Sequence, residues 1–358
     1  MRMLTIAIPL MISSALTAQE SAPDAAKKKI RLMPAYNASA RIEVERSWDV
    51  FSSVSFTYWN PLQERMEPGI VGKTGDDLYI LNGKAIGANT EFKPGFKLAL
   101  GLNMDHDKWD TLFNYTWFEG TFHTNKSFSS TDGKVIFPSW MVPFFTSPLF
   151  YKMHQKWDLA IDLLDWELAK HYKVGKSLSF RTFFGPRAAW IQQHLDVDYR
   201  DAVPFYFGTT NAKVTQSSYS WAIGPRLGIT TDWAFGKGWR LYGTGSYDLL
   251  FTQYTTLKFL QEGLDEDDAV VSGTVYSVKQ KNLNYLKTHL ELELGFAWGT
   301  YFAKNKWHVD LAAGYNLQTF FNQNMFRVFS DADALGVNTS PNANLYMNGL
   351  TATMRFDF

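Results

Sequence analysis

The chain contains no cysteine. Disulfides, thiolate nucleophiles and cysteine-based zinc or iron–sulfur sites are excluded in one step. It also lacks an excess of either charge: 35 Lys and Arg balance 35 Asp and Glu, so nothing points to nucleic acid or to a polybasic membrane patch. After the first 18 residues no apolar run approaches the length of a membrane helix. HExxH and GxSxG are missing, and Gly72-Lys73-Thr74 has Glu67 where a phosphate loop needs glycine. No catalytic signature, cofactor motif or metal-ligand spacing remains, and the chain does not read as an enzyme.

What it has in quantity is aromatic residues, 16% of the chain, in a sequence whose mean hydropathy is still only −0.22. That mixture suits strands with one apolar and one polar face. The C-terminal stretch YMNGLTATMRFDF (346–358) shows the pattern plainly. Leu350, Ala352, Met354, Phe356 and Phe358 alternate with Thr351, Thr353, Arg355 and Asp357, the period of a strand between two unlike media. A closing Phe356 and Phe358 resembles the C-terminal assembly signal of bacterial outer-membrane barrels. At the other end, Arg2, the apolar run Leu4–Ile12 and small residues to Ala18 read as an export signal over 1–18. Residues 19–50 read as a partly disordered periplasmic lead, with 37–50 left open as a lead-in or a segment lying in the lumen.

From 51 to 358 the alternation returns again and again, interrupted by connections that are long and short in turn. Val54–Tyr58, Phe96–Leu102, Trp109–Trp117, Trp157–Leu168, Leu178–Trp190, Tyr219–Trp233, Trp239–Phe251, Leu286–Trp298, Val309–Leu317 and Leu350–Phe358 give about ten strands. The long connections are 119–155, 193–216, 254–284 and 321–345. In Trp157–Leu168 the apolar set changes phase at Leu163 and Leu164, which reads as a β-bulge, with Asp158, Asp162, Asp165 and Glu167 as the polar partners. The pattern predicts an all-β transmembrane antiparallel up-and-down barrel with long extracellular loops and short periplasmic turns. Trp109, Trp117, Trp157, Trp190, Trp221, Trp233, Trp239 and Trp298, near strand ends, are expected in the interfacial girdles. The polar faces put Arg181, Arg187, Arg226, Arg240, Asp158, Asp162, Glu167, Lys287, His289, Glu291, Glu293, Asp310 and Arg355 in the lumen.

The stretches WDLAIDLLDWELAK (157–170), FFGPRAAWIQQ (183–193), WAIGPRLGI (221–229), YGTGSYDLLF (242–251) and FNQN (321–324) resemble the Legionella-type major outer-membrane protein family, which extends to Chlamydia-like bacteria. The resemblance implies a pore-forming barrel in the bacterial outer membrane, passing small polar solutes or ions. The cysteine cross-links associated with the Legionella proteins have no counterpart here. Outer-membrane lipid, lipopolysaccharide, the barrel assembly machinery and a homo-oligomeric partner are the expected company. A ten-stranded lumen is narrow, so the competing reading is a structural or adhesive barrel with a plugged lumen and binding loops. The apolar stretch 119–155 fits a constriction or a docking patch. His123, His154 and His194 at the rim are nominal protease candidates, and Asp265–Asp268 a nominal cation site; polar rim residues and a solvated acidic loop account for both more simply.

Deleting Phe358 is expected to lower the amount of heat-modifiable barrel in the outer membrane several-fold. A truncated protein that assembles at the normal level removes the assembly role.

Overall fold

The computed structural model describes residues 40–358 except 46–47, 74–81, 143–148, 204–209, 272–274, 330–337 and 340–341. All of these described residues belong to the unit Asn37–Phe358; the expected export signal and most of the lead lie outside them. Ten long strands dominate: β1 Val50–Gln63, β2 Lys93–Asn103, β3 Trp109–Ser127, β4 Phe150–Lys173 and β5 Leu178–Ala202, then β6 Asn211–Gly236, β7 Trp239–Leu264, β8 Leu283–Phe302, β9 Trp307–Asn324 and β10 Ala343–Asp357. Each pairs antiparallel with its neighbour in sequence, and β1 closes on β10 from Phe51↔Asp357 to Gln63↔Leu345. The barrel therefore has no open edge.

Closure fixes the width. A row of paired residues leaving β4 at Ile161 passes through Phe118, Gly95, Thr57, Thr351, Gly314, Gly295, Tyr242, Asp232 and Ser179 and returns to β4 at Lys173, twelve residues further along. Ten strands with that stagger tilt by about 40° and trace a backbone cylinder about 20 Å across. One end carries the tight turns, where Gly236 (φ 102°), Lys237 (φ 53°) and Gly238 (φ 82°) join β6 to β7, and Ala303, Lys304 and Asn305, all left-handed, join β8 to β9. The other end carries the long loops, braced by the short strands Gly69–Lys73, Lys84–Ala85 and Lys134–Pro138 on one side and Tyr276–Gln280 on the other.

The strands are longer than a membrane requires. β4 to β7 run 24, 25, 26 and 26 residues, and most of 119–155, 193–216 and 254–284 is strand rather than loop. On β5 the reason can be read residue by residue. Phe184 and Trp190 face outward while Arg181, Phe183 and Arg187 face inward; beyond Trp190 the chemistry reverses, with Ile191, Leu195, Val197 and Tyr199 buried inside and Gln192, His194, Asp196 and Asp198 outside. Lipid surrounds the first stretch and water the second, so the apolar face changes side where the strand leaves the bilayer.

That reversal corrects the reading of β4. No bulge exists at Leu163–Leu164: the register from Trp109↔Lys170 to Ser127↔Lys152 is unbroken. Trp157, Leu159, Ile161 and Leu163 are interior residues of the water-bathed part, whereas Leu164 and Trp166 are outward residues of the lipid-bathed part. Trp157, only 2% exposed, is thus no girdle residue. Asp158 and Asp162 are not in the lumen; on the outer face they accept hydrogen bonds from Thr121 Oγ1 (2.6 Å) and Tyr115 Oη (2.5 Å). Register shifts occur elsewhere, on β7 at Trp239/Arg240 and Tyr254/Thr256 and on β9 between Phe320 and Asn324. The other seven tryptophans face outward; Trp190, Trp233 and Trp239 are the most exposed of them.

A Cβ on Gly185 would stand 1.8 Å from the Trp166 carbonyl oxygen, whereas one on outward Gly243 would meet nothing nearer than 3.6 Å. Gly185→Ala is expected to destabilise the barrel by about 2–4 kcal/mol and Gly243→Ala by well under 1 kcal/mol, measured by urea unfolding of refolded protein. Equal midpoints for the two variants would refute the close approach.

Candidate functional site

The lumen at mid-membrane is built around two Gly-Pro-Arg triplets that run antiparallel to each other. Gly185 pairs with Arg226, Pro186 with Pro225 and Arg187 with Gly224. The prolines, with no N–H to donate, face lipid, and the ladders beside them lack the rungs at Trp166 and Glu167 on β4 and at Leu249 and Leu250 on β7. Each glycine faces inward opposite an arginine, and the place of its missing side chain is taken by the backbone of the next strand, the Trp166 carbonyl at Gly185 and the Leu249 carbonyl at Gly224.

Both guanidiniums are buried and surrounded by carboxylates. Arg187 donates from Nε and Nη2 to the two oxygens of Asp165 (2.5 and 2.8 Å) and from Nη1 to Asp248 Oδ2 (2.7 Å). Arg226 donates to Glu291 Oε2 (3.0 Å) and Asp248 Oδ1 (3.2 Å), with Glu167 Oε1 at 3.6 Å from its Nε. His289 sits 2.5 Å from Asp248 and 2.9 Å from Arg187, its ring tilted against that of Phe320 with centroids 4.2 Å apart. From the opposite wall Lys97 on β2 reaches Glu291 on β8 at 3.0 Å, and Asn316 Nδ2 donates to the same carboxylate at 3.1 Å. Arg187, Arg226, Asp165, Asp248, Glu291 and His289 are all 5% exposed or less. A belt of ion pairs therefore crosses the lumen from β2 to β8 and on to β4. Desolvating so many charges is tolerable only because nearly every donor and acceptor is paired.

Nearer the tight turns a second tier lines the wall. Arg181 bridges Glu167 and Asp110 (2.8 Å each); Arg240 makes a two-pronged contact with Asp310 (2.5 and 2.8 Å) and reaches Asp232 at 2.7 Å; Arg355 reaches Asp357 at 2.6 Å. Glu293 accepts from Tyr242 Oη (2.7 Å). Arg181, Asp232, Arg240, Tyr242, Glu293 and Arg355 border a cavity of about 480 Å³ that Ala40 and Ile42 also line. Residues 40–45 run along the mouth: Arg41 donates to the Met104 carbonyl (2.8 Å), Glu43 pairs with Lys108 (3.2 Å) and the Glu45 N–H donates to Asn305 (2.9 Å). Of the two alternatives for 37–50, the described part lies at the lumen's periplasmic mouth.

Above the belt, polar lining gives way to hydrocarbon. Trp59, Phe118, Phe122, Trp157, Leu159, Ile161, Ile191, Leu195, Phe320 and Met347 pack together with Trp140 and Phe326 from the loops. Lys287 lies at this level, donating to Tyr254 Oη (2.8 Å) and to the Asn322 carbonyl, with no carboxylate partner among the described residues.

Of thirteen residues assigned to the lumen from sequence, eleven face inward; Asp158 and Asp162 are the exceptions. Sequence reasoning misses Asp248 and Asp110, which are central to the network; a single acid between apolar neighbours, as in Tyr247-Asp248-Leu249, is the available signal. The rim histidines do not converge on one site. His123 and His154 stack outside the barrel at 5.4 Å, His194 contacts Ser217 and Asp196, and no cluster able to hold a metal occurs among the described residues. Asp265 caps its own turn by accepting from the Asp267 and Ala269 N–H groups.

A closed antiparallel ring with a lipid-facing apolar band, aromatic girdles and a charged interior defines an integral β-barrel of the bacterial outer membrane. Residues 43–358 match the model of the Legionella pneumophila major outer membrane protein precursor family, and the chain belongs to that family. No curated protein matches it. Among solved structures it is similar to the outer membrane protease OmpT from Escherichia coli (11% identity, TM-score 0.45, covering 90% of this chain and 100% of that one). It is also similar to a Pseudomonas aeruginosa FadL homologue (7%, TM-score 0.26, 86% and 89%) and to the P. putida toluene transporter TodX (10%, TM-score 0.30, 87% and 90%). At these identities the likeness is one of fold alone.

Replacing Arg187 by Met leaves Asp165 and Asp248 short of a counter-charge and is expected to cost about 3–5 kcal/mol in urea unfolding, with Arg187→Met/Asp165→Leu recovering part of the loss. A single variant as stable as the parent would show that the belt contributes nothing.

Proposed function

We propose that the protein works in the outer membrane as a closed barrel, a structural and surface-presenting element rather than a permanently open diffusion pore. The observation that carries this reading is the Lys97–Glu291 contact: it joins opposite walls of the lumen within a belt whose central charges are sealed from water. The apolar packing above the belt adds a second barrier of a different kind. Lipid and lipopolysaccharide surround such a barrel, insertion falls to the barrel assembly machinery, and no catalytic step is assigned to it.

A second reading, a gated conduit for small polar solutes or ions, is favoured by one feature. The periplasmic cavity is lined by Arg181, Arg240, Glu293 and Arg355, as the vestibule of a narrow charged pore would be. Planar-bilayer recording separates the two. Refolded protein is expected to give at most rare, brief openings, and Lys97→Ala/Glu291→Gln to remain shut because the apolar barrier persists. Long-lived steps of uniform size from the unaltered protein would overturn the closed barrel and establish the conduit.

A further inference from the structure

One sizeable cavity lies outside the lumen. It is an open groove of about 1090 Å³ among the extracellular loops, between the sheet formed by Gly69–Lys73, Lys84–Ala85 and Lys134–Pro138 and the end of β3. Lys73, Lys84, Lys126 and Lys134 line it, with His123 and Asn125, and no carboxylate among the described residues does. All four lysines are exposed and none pairs with a described carboxylate, in contrast to neighbouring Lys152, which is held by Asp201 at 2.8 Å. Two acids on the flanking segments are engaged: Asp132 caps the Ser129 turn and Glu91 pairs with Lys93 at 2.6 Å. Counting Asp76 and Asp77 of the intervening sequence against it, the groove keeps a positive balance. Four ammonium groups around one concavity leave that balance positive and repel each other, and the arrangement is relieved by a polyvalent anion that spans them.

Height selects the source of the anion. Lys126 lies nine residues beyond the girdle residue Trp117 along β3, which at about 3.3 Å per residue and about 40° of tilt is roughly 20 Å outward. The headgroup layer is only about 5–8 Å thick, so phosphates of the surrounding lipid lie below the groove. We infer that this groove binds an extracellular sulfated polysaccharide, its sulfates pairing with Lys73, Lys84, Lys126 and Lys134. The inference rests on the surface-presenting reading, yet a lumen that conducts would not affect it, and a closed lumen would not rescue it.

The test uses the full-length refolded barrel in detergent, titrated with heparin as the probe at several NaCl concentrations, with neutral dextran and purified lipopolysaccharide alongside. Heparin is expected to bind and dextran not. K73S/K84S/K126S/K134S is expected to weaken heparin binding at least tenfold and to reduce the slope of log K against log salt by about 3, roughly 0.7–0.9 of a counterion for each of the four lost ammonium groups. The corresponding four Lys→Arg changes are expected to retain it, and heat-modifiable migration verifies folding of both variants. Heparin affinity and salt slope unchanged in the serine variant overturn the site. So does equal binding of dextran, or a loss confined to lipopolysaccharide, which would make the groove a contact for the cell's own envelope.

Discussion

A backbone amide in the bilayer has no water to turn to, and the rest of the structure depends on that constraint. Every N–H and C=O of a spanning strand must find a partner on another strand, so the sheet closes. Ten strands with a stagger of twelve leave a backbone radius of only about 10 Å. A lysine or arginine on one wall and a glutamate on the other cover that distance between them, as Lys97 and Glu291 do. A lumen bridged by ion pairs thus follows from strand number and long charged side chains together; neither alone requires it.

The medium outside decides what fills the inside. Around the extracellular half there is water, and packing Trp59, Trp140, Phe118 and Phe150 inward, each 2% exposed or less, gains roughly 1.5–3 kcal/mol per large side chain, as in any soluble core. Around the membrane half there is lipid, as apolar as any core, and burying hydrocarbon in the lumen gains little there. Cohesion in that half falls to charge and hydrogen bonding, which are strong where water is scarce. The barrel is accordingly two structures end to end, joined at the level of Trp190 and Trp221: an aqueous β-barrel with an oily interior above, and an inside-out one with an ionic interior below.

This division explains what the sequence revealed and what it concealed. Strand number, the alternation of long and short connections, and the inward side of Arg187, Arg226, Glu291 and Asp310 were legible because period-2 alternation is a local property. The identity of the apolar face is not local. Trp157-to-Leu163 and Leu164-to-Leu168 are each regular, and only the height of the bilayer boundary tells that the first set points in and the second out. Read with a single rule, the crossing looks like a bulge, and Asp158 and Asp162 are carried to the wrong side. The ion-pair partners were out of reach for a different reason: Lys97 and Glu291 are far apart in sequence, and nothing short of the closed ring brings them together.

Why a barrel should keep a buried ionic belt at all is a question of register. Replacing such a network with well-packed hydrocarbon is often neutral or stabilising, so stability is a weak explanation. Sidedness guards against a slip of one residue, which would expose the polar set to lipid; a slip of two preserves sidedness and is resisted only by what meets across each strand pair. Between β5 and β6 that is Gly185 with Arg226, Pro186 with Pro225 and Arg187 with Gly224. Shifting either strand by two residues would set Arg187 against Ala222 or against Arg226 itself, and would part the guanidiniums from Asp165 and Asp248. Two inverted copies of one triplet match in a single alignment, and the carboxylates of β4, β7 and β8 hold them there; the belt specifies the ring's register where the bilayer, indifferent to even shifts, does not.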